Sequence, residues 1–255
     1  MTKETSNISS LRRLRILALL LTFTTGFTGL VYEVTWHRYL ANFLGSQARA
    51  SAIILAVFLG GLCVGYDLFG RYSQKRSSDK LVKTVGWIEI VIGLWAVFFP
   101  RIYEVVWNTA GILDPTSSTA LLWDVLICIL LIGLPTVLMG GTLPLLTQGL
   151  SLDSDDAPQF HARVYAINTG GAFLGCLAGG FYLLPNFGLP LTVLFMGASN
   201  LIAGFALLLI GARVGGSTES ATAEKSPEAE SHKYGQSLSY LRASVVAFLA
   251  GFYAL

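Results

Sequence analysis

The sequence predicts an all-α fold, a polytopic membrane bundle of six full transmembrane helices plus the start of a seventh. Three observations carry that prediction. Of 255 residues, 53% are hydrophobic and only 13% charged, where a soluble domain carries about 25% charge. The mean hydropathy of +0.62 is spread over most of the chain rather than concentrated in one core segment. The apolar runs are each close to the roughly 20 residues that a helix needs to cross a bilayer, and only short polar breaks separate them. A single soluble globular domain is excluded by the same figures.

The elements follow in order. Residues 1–14 form a polar amino-terminal segment ending in Arg12 and Arg13, with Arg15 just beyond. The spans are 16–36, 50–70, 81–100, 121–146, 164–184 and 189–212. Residues 22–29 lack a small-residue cleavage site, so the first span is an uncleaved helix and not a signal peptide. Residues 15–212 therefore make the six-helix transmembrane domain. The stretch 213–240 contains GGSTESATAEKSPEAESHKYGQ and almost no large apolar residue; it cannot bury enough surface to fold alone and reads as a flexible linker. An apolar run then begins near Ala243 and reaches Leu255, so 241–255 reads as the start of a seventh span in a longer protein.

Charge placement sets the orientation. With the amino terminus inside, the inner segments hold Lys3, Arg12, Arg13, Arg15, Arg71, Lys75, Arg76, Lys80, Lys83, Arg163, Arg213, Lys225, Lys233 and Arg242. The outer ones hold only Arg38, Arg49 and Arg101. Lysine and arginine concentrate on the cytoplasmic side of membrane proteins, which puts the amino terminus in the cytoplasm. The net charge of +2 leaves no basic patch in want of nucleic acid. The natural partner of this surface is the lipid bilayer.

Small residues mark helix contacts, because lipid is as apolar as leucine and helices associate through close backbone approach. Span two carries Ala48, Ala52, Ala56 and Gly60 on one stripe, with Gly61 and Gly65 beside it, and span five carries Gly171, Gly175 and Gly179 in series. Both faces are expected to be helix-contact surfaces. Span four holds Pro135 and Pro144 around Met139, Gly140, Gly141 and Thr142, so a bend or break is expected there. Such kinks occur both at substrate cavities and at plain packing contacts.

Ionisable groups inside a span are expensive and are candidates for function. Glu89, in KTVGWIEIVIGLW, has no Lys or Arg within four residues. It suits either a proton or cation site or a carboxyl hydrogen-bonded to a neighbouring helix. Glu33, in LVYEVTWHRYL, lies near the outer end of span one beside His37 and Arg38, where an interfacial ion pair is the alternative to a ligand facing the bundle. Asn168 and Asn200 fall within spans five and six and suit interhelical hydrogen bonds or a substrate site.

Other chemistries fail on inspection. Cys63, Cys128 and Cys176 lie in apolar runs without pair spacing, and His37, His161 and His232 are too scattered for a metal set. The acidic stretch 153–156 lacks the central glycine of a calcium loop. No nucleophile triad, phosphate loop or dinucleotide fingerprint occurs, so no catalytic residue, metal or cofactor is expected in this chain.

Several blocks together resemble the bacterial membrane-bound spermidine synthase-like proteins. They are GLVYEVTWHR at 29–38, the run 55–71, LPTVLMGGTLP at 134–144, RVYAINTGGA at 163–172 and LPNFG at 184–188. The resemblance implies a multi-pass protein of the bacterial inner membrane whose bundle anchors a soluble aminopropyltransferase-type domain in the same polypeptide and passes a polyamine or related cation. That domain's glycine-rich, aspartate-containing loop does not occur between residues 1 and 255. Under this resemblance Glu33, Glu89, Asn168 and Asn200 are the candidate ligands of a cation. The chain is also similar to the amino-terminal half of a major facilitator superfamily transporter: six spans, a cytoplasmic start, and a glycine followed by basic residues between spans two and three. In GRYSQKR at 70–76 that loop carries Gln74 where the superfamily has an acid. A non-catalytic scaffold for a partner is the third reading.

Overall fold

The computed structural model describes the backbone of residues 2–74, 76–110, 119–150 and 157–218, and the side chains of 15–74, 76–109, 119–150 and 158–212. Every element among them is helical. The order is α1 (Thr2–Leu44), α2 (Gln47–Ser73), α3 (Ser78–Ala110), α4 (Ala120–Cys128), a π-helical turn (Ile129–Gly133), α5 (Leu134–Leu150), α6 (Ala157–Ala178), a second π-helical turn (Gly179–Leu183) and α7 (Leu184–Thr218). The linker expected at 213–240 begins inside α7, which runs to Thr218. The rest of that linker and the expected seventh span lie outside the described residues.

Five stretches are long and apolar enough to cross a membrane: Arg15–Leu44, Gln47–Ser73, Ser78–Thr109, Ala120–Leu150 and Pro158–Ala212. Only helices and closed barrels satisfy every backbone donor and acceptor without water, and this chain uses helices. The fifth stretch is 55 residues long, about 80 Å at 1.5 Å per residue, far more than a bilayer needs. It is broken at Gly188, whose φ of 72° and ψ of 178° are not helical. Glycine alone takes that conformation readily. Pro190 then falls in the first turn of the next rod, where its missing N–H leaves no helical bond unmade. The second rod thus starts at Leu189, where the sequence placed it.

Several helices run past the expected spans, α6 among them with its start at Ala157 instead of 164, and two carboxyl-terminal extensions are tied by tertiary contacts. Helix α3 passes through Pro100 and continues to Ala110. A proline removes one hydrogen bond, and here a tertiary contact holds the extension: the Tyr103 hydroxyl donates to the Tyr39 carbonyl at 2.9 Å. Helix α1 likewise runs on to Leu44 instead of ending near residue 36, with Tyr39 and Tyr103 rings 4.8 Å apart.

Pro135 of span four and Pro185, just past span five, each follow a widened turn. Each π-helical turn immediately precedes a Leu-Pro pair, Leu134-Pro135 in one case and Leu184-Pro185 in the other. The proline ring crowds the carbonyl four residues back, and an extra residue in the turn relieves the crowding. For Pro135 that carbonyl belongs to Leu131, and the Trp95 indole N–H of α3 donates to it at 3.0 Å. Pro144 stands inside α5 and is buried there.

The helices pair by close backbone contact. Helices α1 and α6 run parallel: a Cβ at Gly171 would land on the Phe23 carbonyl, one at Gly175 on that of Phe27, and Gly179 faces Val31. Helices α2 and α5 also run parallel, with Gly61 against Thr136 and Gly65 against the Val137 carbonyl. The rod of α7 beyond Gly188 runs antiparallel to α3, with Gly86 against Gly204 and Gly93 against Gly197. The expected contact faces of spans two and five are therefore real, but their membership changes. Ala52 is exposed and Gly60 has no atom within 4 Å of a built Cβ. At about 100° per residue, turning Gly61 and Gly65 onto α5 turns the Ala52, Ala56 and Gly60 stripe aside.

These contacts repeat in register. Gly26 meets the Asn168 carbonyl as Gly140 meets that of Leu62, and Gly171 meets the Phe23 carbonyl as Gly65 meets that of Val137; the positions of the Gly175–Phe27 contact recur as Phe69 and Gly141, with the glycine on the other helix and the phenylalanine ring against it. Each α1 residue thus corresponds to the α5 residue 114 positions on, and each α2 residue to the α6 residue 106 positions on. In α3 and α7 the shift is 111: Gly86 corresponds to Gly197 and Gly93 to Gly204, and the two contacts exchange. Because α1 and α2 are antiparallel neighbours, joined by a tight turn at Gly45 (φ 67°), α1 and α5 point in opposite directions. The bundle is built from two three-helix units related by inversion.

Candidate functional site

The two units meet at a pair of polar side chains. The shift of 111 that relates α3 to α7 carries Glu89 onto Asn200, and the two are bonded to each other: the Asn200 side-chain N–H donates to the Glu89 Oε2 at 2.7 Å. Tyr32 of α1 donates its hydroxyl to the Asn200 Oδ1 at 3.4 Å, extending the chain to a third helix. All three are buried, Glu89 at 1% exposure, Asn200 at 3% and Tyr32 at 0%. Asn200 stands at the middle of the rod 189–212, far from either end of that helix.

Beside the pair is a cavity of about 170 Å³ on whose wall both Glu89 and Asn200 stand. Its lining follows the same inverted relation. Thr28 and Thr142, 114 residues apart, both face it. Thr28 donates its hydroxyl to the Thr25 carbonyl at 3.1 Å and Thr142 donates to the Met139 carbonyl at 2.8 Å. Gly26 and Gly140 form another equivalent pair in the wall, as do Leu62 and Asn168. The cavity therefore sits on the junction of the two units, and its one departure from like-for-like charge is the carboxylate of Glu89 opposite the amide of Asn200.

Glu89 has no cation to neutralise it among the described residues. Their ion pairs lie near helix ends, as with Arg49 and Asp124 at 3.0 Å or Asp67 and Arg71 at 2.8 Å, and none includes Glu89. A buried carboxylate is strongly unfavourable without a partner, and a single amide bond offsets only part of that penalty.

Of the four ligand candidates read from sequence, Glu89, Asn168 and Asn200 share the cavity wall. Glu33 does not: it is half-buried on α1 and forms no hydrogen bond or ion pair among the described residues. It follows Tyr32 by one residue, a turn of about 100°, so when Tyr32 reaches Asn200 its neighbour points elsewhere. Sequence reasoning did not select Tyr32, Thr28 or Thr142. The signal for the junction was present, in GWIEIVIG at 86–93 and GASNLIAG at 197–204, which share glycines at both ends and a polar residue at the fourth position. No family model, curated protein or solved structure matches the chain.

Proposed function

We propose that this chain is a transporter-type membrane bundle that takes a small amine-bearing cation into the cavity between its two inverted units and passes it across the membrane. One observation carries the reading: a buried carboxylate, Glu89, on a cavity wall at the junction of inverted repeats and without a cationic partner. Inverted repeats with a polar site at their junction near the bilayer midplane are the common plan of secondary transporters. A carboxylate in a low-dielectric site is a strong ligand for an ammonium group.

The finer topology belongs to the same proposal. In this reading the break at Gly188 separates two crossings within the fifth apolar stretch, so that the chain crosses a bacterial inner membrane six times from a cytoplasmic amino terminus, an orientation supported by the lysine and arginine distribution. The resemblance of several sequence blocks to membrane-bound spermidine synthase-like proteins supports amines as the solute class and an attached aminopropyltransferase-type domain that the bundle anchors. The inverted pairing favours the major facilitator-like reading of the bundle itself over a plain scaffold.

The test is uptake into vesicles. Glu89→Gln keeps the shape and one hydrogen bond but removes the charge. Uptake of labelled pentylamine is expected to fall at least about tenfold, in line with the roughly 1.5–3 kcal/mol of a hydrogen bond to a charged group. Unchanged uptake removes Glu89 from the path and the proposal with it.

A further inference from the structure

We infer that the cavity accepts one ammonium group on a short alkyl body, and that Asn200 is the residue that sets this limit of a single charge. The inference rests on the amine-handling reading above and narrows it from cations in general to monoamines.

The inverted register is the starting point. Glu89 and Asn200 occupy equivalent positions in the two three-helix units and face each other across their junction. An acid at both positions would share one proton when the site is empty, and a bound dication would hold both ionised. The chain has a carboxylate at one and a neutral amide at the other. Glu89 is the one acid or base on the wall apart from the Tyr66 phenol. A second ammonium drawn inside would meet only hydroxyls and amides, and an ion so placed loses its hydration with no counter-charge to replace it.

The remaining wall fits the rest of such a solute. An ammonium has three N–H donors, and the cavity presents acceptors for them. One is the Glu89 carboxylate. The others are the hydroxyl oxygens of Thr28 and Thr142, whose own hydrogens are already spent on the Thr25 and Met139 carbonyls. Phe58, Ile92 and Met139 supply apolar wall for the alkyl part. At about 30 Å³ for each water-sized group, a volume of 170 Å³ holds about five or six non-hydrogen atoms. A polyamine longer than that would enter by one end only, leaving its other charges outside.

The experiment compares n-pentylamine with 1,4-diaminobutane, which match in size and differ in charge, and uses 1-pentanol as the neutral control. Binding to the purified full chain in detergent is followed by calorimetry. In the unaltered protein pentylamine is expected to bind at least about tenfold more tightly than diaminobutane, with pentanol weaker than pentylamine. In Asn200→Asp, which adds the second carboxylate, the order of the two amines should reverse. Equal affinities in the unaltered protein overturn the single-charge limit, and if Glu89→Gln then weakens both amines the broader amine reading stands. An unreversed order in a cooperatively melting Asn200→Asp overturns the role of Asn200. Absence of binding by either amine overturns both readings. The ranking in the unaltered protein decides the charge limit even if the variant does not fold.

Discussion

Gly171→Ala lowers the stability of the bundle by about 2–3 kcal/mol, whereas Gly170→Ala, one residue earlier, leaves it unchanged or raises it slightly. The reason is contact geometry. A methyl group at Gly171 would fall on the Phe23 carbonyl of α1, and backbone cannot step aside as a flexible side chain can. Overpacking of this kind costs typically 1–3 kcal/mol, and at a backbone contact it falls at the upper end. Gly170 has nothing within 4 Å of its built Cβ, so alanine there recovers part of the roughly 0.5–1 kcal/mol that glycine forfeits inside a helix. The inverted register requires the same contrast in the other unit. Gly65→Ala, which meets the Val137 carbonyl, should lose about as much as Gly171→Ala, and Gly60→Ala should be neutral. Reversible unfolding in mixed micelles measures all four. A uniform small loss at every position would mean that the helices do not pair as described.

Asn200→Leu is the second large effect, with an expected loss of about 1.5–3 kcal/mol. Neutral interhelical hydrogen bonds in membranes average only about 0.6 kcal/mol. This one is the single hydrogen bond that reaches the buried Glu89 carboxyl among the described residues, so its loss leaves a buried polar group unsatisfied. Leucine fills the space but strands Glu89 in an apolar wall. Adding Glu89→Leu removes the stranded group, so the double variant should recover most of the loss. A double-mutant cycle on the same unfolding assay is expected to return a coupling above about 1 kcal/mol. Additive losses would show that the bond contributes nothing beyond the two side chains taken separately.

The features legible in the sequence are those imposed by the solvent. Uniformly apolar runs of the right length must be helices, so the starts of the rods at Gln47 and Leu189 fall within three residues of the sequence reading. What was not legible depends on contacts between distant segments. Pro100 looks like a helix end by local rules, yet Tyr103 and Tyr39 hold the helix together beyond it. Glycine spacing shows that a face is smooth but not which side of it meets a neighbour. It could not separate Gly60 from Gly61, or assign α6 to α1 and α2 to α5. Glu33 and Glu89 are both carboxylates in apolar runs, and only the rotation of α1 about Tyr32 distinguishes them. The proline effect was legible in kind but not in form: the helix widens into a π turn before Pro135, and the indole of Trp95 takes up the freed carbonyl.

Glu89 is a buried carboxyl group open to a cavity that an amine can fill. The most direct measurement is modification of the protein in membranes by a hydrophobic carbodiimide, read by mass spectrometry with and without pentylamine. The account predicts that Glu89 is labelled and that pentylamine suppresses this labelling while leaving the labelling of Glu33 unchanged. Labelling of Glu89 that pentylamine does not alter would contradict it.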